Sequence, residues 1–349
     1  MWSEILIGYG IFILEILTVL LVIFAIVASV IALKQKRHHQ SGQLVIANLS
    51  TEFEEKNKKL SNFYLNSATQ KEIEKDRKKE QKIKIKQEKE DHKQGLEHRK
   101  PHLYVLTFKG DLLATQTESL REEINAIISV AKPEDEVLLR LESPGGSVPG
   151  YGLAASQLAR LKQHNIKLTV AVDKVAASGG YMMACVADKI VSAPFAILGS
   201  IGVVAQMPNI HRLLKKHDVD VDVMTAGEYK RTMTLLGENT EKGKQKFQQE
   251  LEEIHTLFKT FVLENRPHLD IDKIATGEYW LGKQALDLKL VDDITTSDDL
   301  ILESIQNKTV LSVEYQIKKT LSQKLAKQLE QSVDNILLRW LKRNNRMLL

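Results

Sequence analysis

EVLLRLESPGGSVPGYGLAASQLARLKQHNIKLTVAV, residues 136–172, holds two apolar runs separated by a glycine-rich turn and a helical pattern. Its first part, Glu136 to Leu141, has Val137, Leu138 and Leu139 in succession, so apolar residues fall on both faces, which suits a strand buried on both sides rather than one alternating between core and water. The run stops at Ser143-Pro-Gly-Gly146. Proline and paired glycines break regular structure and let backbone N–H groups face outward. Tyr151 to Lys162 then carries apolar residues at helical spacing, and Leu168 to Val172 is a second apolar, β-branched run. A strand, a helix and a strand in that order imply parallel pairing through a crossover.

The alternation continues in both directions. Leu103 to Phe108 reads as a strand and Thr115 to Val130 as a helix upstream. Downstream, Gly179 to Ala187 reads as a short buried helix and Ile190 to Ser192 as a short strand. The expected class is therefore α/β with a parallel sheet, over a folded domain at 101–296. Before it the sequence divides into 1–33, an apolar anchor, and 34–100, a charged stalk; after it, 297–349 reads as a C-terminal helical extension.

The anchor rests on Ile16 to Leu33, an uncharged apolar run of about the ~20 residues a helix needs to cross a bilayer. No basic residue precedes it and Lys34, Lys36 and Arg37 follow it, opposite to the layout of a cleaved leader. From 34 to 100 the chain is dominated by Lys, Glu, Gln, Asn and His, densest from Lys71 to Lys93, and such a composition builds no core. Its interleaved glutamates, and a net charge of only +4 on 349 residues, argue against a nucleic-acid partner. The single Cys185 excludes an internal disulfide and any multi-cysteine zinc site, and no metal or cofactor is expected. At the far end, Val333, Ile336, Leu337, Trp340 and Leu341 share one helical face flanked by Arg339, Lys342, Arg343 and Arg346. That face suits either membrane lipid or packing on protein.

The chemistry falls at the carboxyl ends of the strands, where α/β sheets place their sites. The strand at 136–141 leads into Ser143-Pro-Gly-Gly146, and the strand at 168–172 leads into Ala176-Ala-Ser-Gly-Gly-Tyr181, with Ser178 at the mouth of the short helix. A serine there is either a helix cap or a nucleophile whose reaction gains from the helix dipole. A nucleophile needs a base. His164 precedes a helix-ending Asn165, and His211 and His217 lie in a polar amphipathic stretch, so no histidine of this set is dedicated to it. A lysine desolvated by the fold serves instead in some sites; Lys230 in Gly227-Glu-Tyr-Lys230 is one candidate among many lysines.

Four motifs in order, Ser143-Pro-Gly-Gly146, Ala177-Ser-Gly-Gly-Tyr181, Leu198-Gly-Ser-Ile-Gly-Val203 and Gly227-Glu-Tyr-Lys230, resemble the signal-peptide-peptidase A family of serine proteases (peptidase family S49), in particular its SohB-like branch. The resemblance covers about Leu103 to Asp293. It implies a ClpP/crotonase-like fold, with Ser178 as nucleophile, Lys230 as general base, Gly146 and Gly179 as oxyanion-hole donors and Ser200 orienting the lysine amine. Gly145 competes with Gly146 for the donor role. The resemblance further implies a bacterial inner-membrane endopeptidase that assembles as a homo-oligomer and hydrolyses extended apolar peptides such as signal-peptide remnants. Its relatives carry glycine where this chain has Lys289 of Lys289-Leu-Val-Asp292, a departure that bears on a turn. Two other readings stay open: an acyl-thioester enzyme on the same fold, and an inert membrane-tethered scaffold. The side of the membrane is open too, because the basic residues after the anchor put the domain in the cytoplasm while the resemblance puts it outside.

Overall fold

The central strands of this chain are apolar on both faces because they are covered on both faces. The computed structural model describes residues 42–66 and 99–317, with single positions within 13–24 and 69–86. The described residues between 44 and 315 form one compact unit. The elements begin with β1 (Gly42–Asn48) and α1 (Leu49–Phe63), then β2 (His102–Lys109), α2 (Thr117–Val130), β3 (Glu136–Glu142), α3 (Val148–Gln163) and β4 (Lys167–Val172). They continue with β5 (Val175–Ala177), α4 (Gly179–Ala184), β6 (Lys189–Ser192), β7 (Ile197–Gly199), α5 (His211–Lys216) and α6 (Glu241–Asn265). The series ends with α7 (Ile271–Ile274), β8 (Tyr279–Leu281), α8 (Gly282–Asp287), β9 (Asp293–Ile294), α9 (Ser297–Asn307) and β10 (Thr309–Ile317).

Seven strands form the main sheet in the order β1-β10-β2-β3-β4-β6-β9, and every pair from β10 to β9 is parallel. Period-two alternation divides its side chains. Leu106, Phe108, Leu139, Leu141, Val170 and Val172 enter the larger core, with Leu120 and Ile124 of α2, Leu158 and Leu161 of α3, and α4. Leu103, Val105, Leu138, Ala171, Val191 and Val310 point the other way, against Leu49 of α1 and Leu300, Ile301 and Ile305 of α9. A three-stranded sheet, β5-β7-β8, lies at the carboxyl end of the first. The isolated parallel bridge of Ser143 to Ala176 joins the two.

The expected α/β class and parallel sheet are present, but two expected boundaries need correcting. The domain does not stop at 296: β10 lies inside the sheet, between β1 and β2. Nor is all of 34–100 a stalk, since β1 is the edge strand of the main sheet and partly buried Leu49 of α1 packs on its second face. Of the expected anchor, residues 16–21 and 24 are helical and exposed and the rest lies outside the described residues. Among the described residues no helix is long and apolar enough to cross a membrane. The expected helix at 331–349 also lies outside them.

Chain ends of helices explain two non-glycine residues at positive φ. Asn165 (φ 59°) closes α3 and Lys289 (φ 61°) closes α8. At each, the next amide reaches back over the last turn: Ile166 N–H to the Leu161 carbonyl at 3.0 Å and Leu290 N–H to the Ala285 carbonyl at 2.8 Å. Left-handed backbone of this kind favours glycine, so a glycine at position 289 would fit the turn without strain. Just beyond, Asp292 takes a paired grip on buried Arg266 at 2.6 and 2.9 Å and accepts the Ile190 N–H at 2.7 Å. The turn keeps its shape with lysine in it.

Candidate active site

Two loops at the carboxyl end of the sheet are stitched into one unit. Ser143 N–H donates to the Val175 carbonyl at 2.8 Å and Ala177 N–H donates to the Ser143 carbonyl at 3.0 Å, which fixes the Pro-Gly-Gly turn against the strand that carries Ser178. A buried polar chain supports the turn from beneath. Tyr151 Oη donates to the Asp111 carbonyl at 2.8 Å, so the 2.6 Å contact between Ser143 Oγ and Tyr151 Oη has Ser143 as its donor. Ser143 Oγ in turn accepts the Gly145 N–H at 3.1 Å. Burial pushes the Tyr151 phenol up from its ordinary pKa, so it stays protonated and can donate.

Engaging the Gly145 amide has a consequence for the turn. Gly146 N–H has no acceptor among the described residues, and neither does that of Gly179, the first residue of α4. Glycine is obligatory at Gly145, where φ is +92° and a Cβ would meet Ser178 Cβ at 2.7 Å and Gly179 N at 2.8 Å. At Gly179 a Cβ would meet the Tyr151 ring at 2.4 Å. Absent side chains bring the turn, the elbow and the tyrosine together.

Ser178 sits at the elbow between β5 and α4 with φ 51° and ψ −120°, a backbone conformation that costs on the order of 1–3 kcal/mol in a non-glycine residue. Its N–H donates to the Gly199 carbonyl at 2.8 Å and its carbonyl accepts the Met182 N–H at 3.0 Å. Its side chain makes no cap bond to the helix. Capping was one of the two roles open to this serine, and the geometry removes it. A strained strand-to-helix turn that presents a hydroxyl is the arrangement expected of a nucleophile.

Ser178, Gly146, Gly179 and Ser200 all line one cleft of about 1290 Å³. Ser200 is a further strained position, φ 49°. Its N–H donates to the Glu278 carbonyl at 2.7 Å, and its Oγ reaches the Gly277 carbonyl at 3.4 Å. Lys230 is not brought to them. It is exposed, at the end of a turn in which its N–H donates to the Gly227 carbonyl at 3.2 Å, and it does not line the cleft. Neighbouring Glu228 pairs with Lys242 of α6 at 2.6 Å, and Lys242 and Lys246 stand over the Tyr229 ring.

Sequence reasoning missed the far wall, which is α6. Ile254, Phe258 and Phe261 give it an apolar face, and His255 and Glu264 stand beside them in the same cleft. Spacings of three and four residues were the signal available. Cys185 is buried, donates weakly to the Met182 carbonyl, and is pushed up by that burial to about 12, so it offers no thiolate.

Comparison with known proteins gives the family. The family model "Peptidase family S49 N-terminal" matches residues 4–158 and "Peptidase family S49" matches 160–311. A "Probable protease SohB" of Haemophilus influenzae is 63% identical over 349 residues, covering 99% of each chain. Another of that name, from Buchnera aphidicola of Acyrthosiphon pisum, is 54% identical over 70% of this chain and 73% of its own. Among solved structures, a membrane-bound stomatin-specific protease variant in complex with a substrate peptide is 14% identical, with a TM-score of 0.41, over 66% of this chain and 98% of its own. With family models spanning the sheet and the cleft, and a relative matched from end to end, the chain belongs to peptidase family S49 and is a SohB-like protease.

Proposed function

We propose that this protease is a serine endopeptidase in which Ser178 attacks the peptide carbonyl and Lys230 takes its proton. The observation that carries the reading is the strained Ser178 elbow opening into a cleft beside two amides without acceptors, those of Gly146 and Gly179. Both amides would hold the oxyanion of the tetrahedral intermediate. Lys230 would then return the proton to the leaving amine, and water would release the acyl group from Ser178 by the reverse use of the same base.

The reading requires movement. Lys230 lies on the surface of the single chain, in a segment whose apolar residues are unusually bare: Val204 is 90% and Met224 91% exposed. Exposed apolar surface of that kind favours association. A homo-oligomer that buries the segment would also dehydrate the lysine and carry it to the cleft, with Ser200 orienting its amine. We assign the anchor to Ile16–Leu33 in a bacterial inner membrane. The substrates are extended apolar peptides, because most side chains lining the cleft are apolar.

The test is hydrolysis of an apolar fluorogenic peptide by purified protein. Ser178→Ala and Lys230→Ala should each reduce turnover to background with unchanged circular dichroism, and the double variant should be no worse than either, since the pair acts as a unit. Appreciable turnover by either single variant would refute the dyad. Light scattering of the detergent-solubilised protein reads the assembly, and a fully active monomer would refute that part.

A further inference from the structure

We propose that Glu264 selects substrates carrying a lysine or arginine at one position away from the cleaved bond, a specificity determinant that rests on the cleft being the peptide site. α6 runs along that cleft from Ile254 to Glu264. Its near end is located by His255, whose Nε2 contacts the Ile201 carbonyl at 3.2 Å, one residue beyond Ser200 and close to where Gly199 holds the Ser178 amide. Glu264 lies nine residues further along the same helix. At 1.5 Å of rise per residue it stands roughly 14 Å further along the helix axis, on the exposed rim of the cleft, well separated from the end that His255 fixes.

The charge there is singular. Glu264 is the one carboxylate lining the cleft, and among the described residues no lysine, arginine or aspartate lines it. Nor does its carboxylate have an ion-pair or hydrogen-bond partner among them, in contrast to Glu228, Glu142 and Asp292, which all do. The walls beside it are apolar, with Leu257, Phe258 and Phe261 on the same helix. An occupant that displaces water from those walls lowers the effective dielectric around Glu264. That strengthens its attraction to a cation and penalises an anion. The cleft as built fits an apolar peptide segment bounded at one end by a basic side chain.

The experiment uses full-length protein in a non-ionic detergent and internally quenched apolar peptides in which one lysine is moved position by position, each with glutamine and glutamate counterparts. The wild type should favour lysine over glutamine by roughly fivefold in kcat/KM at one position, through KM, with the preference shrinking in high salt. Glu264→Gln should bring that ratio to about one, and Glu264→Lys should turn the preference toward glutamate. A lysine preference that persists undiminished in Glu264→Gln, or no positional preference in the wild type, overturns the proposal. Fluorophosphonate labelling of wild-type Ser178 separates the failures. If the serine labels and peptides are cut without charge preference, only the role of Glu264 falls; if it neither labels nor cuts, the peptidase mechanism falls with it.

Discussion

His255 Nε2 lies 3.2 Å from the carbonyl oxygen of Ile201, so that α6 holds the backbone next to Ser200. A carbonyl only accepts, which makes Nε2 the protonated nitrogen. Three successive residues are thereby held by three elements: Gly199 by the Ser178 amide, Ser200 by the Glu278 carbonyl, and Ile201 by His255.

His255→Phe removes that donor while keeping a ring of similar size. It should lower kcat by about tenfold, on the order of 1 kcal/mol of lost positioning, with KM little changed. His255→Gln, which can present an N–H at a similar reach, should recover most of the loss. Steady-state kinetics on both variants check this; equal losses would mean that only the bulk of the ring matters.

Tyr151→Phe tests the chain beneath the Pro-Gly-Gly turn. The ring is fully buried and keeps its packing, but the Asp111 carbonyl loses its donor and Ser143 Oγ its acceptor. A stability loss of about 1–3 kcal/mol should follow, read by urea denaturation. Activity should fall as well, because the freed Ser143 hydroxyl no longer has a fixed direction in which to hold Gly145.

Glu123 governs a pH dependence away from the cleft. It is buried on α2, its Oε1 accepts the Tyr315 N–H of β10 at 2.8 Å, and its pKa is raised from 4.5 to about 7, first by burial and further by Glu314. A raised carboxyl pKa means the folded state holds the proton longer than the unfolded chain. Its favourable share of stability is therefore complete below the unfolded value and is lost as pH rises through the folded one. Glu123→Gln keeps an acceptor and cannot ionise. Its advantage over wild type should be near zero at about pH 4.5 and grow to about 2–3 kcal/mol above pH 7. Denaturation midpoints across that range decide it, and a difference independent of pH would refute the assignment.

Lys289→Gly should raise stability by about 1 kcal/mol, since φ 61° is left-handed backbone that glycine adopts without a Cβ penalty. Thermal melting measures it; an unchanged or lowered Tm would show that the lysine stem contributes packing that outweighs its backbone strain.

Strands β2, β3 and β4 were legible because their apolar runs are the direct signature of burial on two faces. Asn165 announced the end of α3 for an equally local reason, its tolerance of positive φ. The contribution of α1 was not legible, since one residue, Leu49, carries it into the core among many charges. β10 was missed because its fully buried apolar residues, Val310 and Val313, are three apart and break the strand period. Ser178 and its glycines stood out in short motifs, whereas the places of His255 and Glu264 in the cleft, and of Lys230 outside it, depend on where distant segments come to rest. The Lys230 motif named a residue without locating it.

The placement of β10 between β1 and β2 also has a meaning during synthesis. β2 can pair with β3 as soon as both have left the ribosome, but its other flank stays open until about 170 further residues, from Glu142 to Thr309, have been made, a long wait by the measure of chain connectivity. β1 has no neighbour in the sheet until then. The nascent chain therefore carries an unpaired hydrogen-bonding edge through most of its translation, the kind that draws strands from other molecules. Among the described residues, the last strand to emerge is the one that closes it.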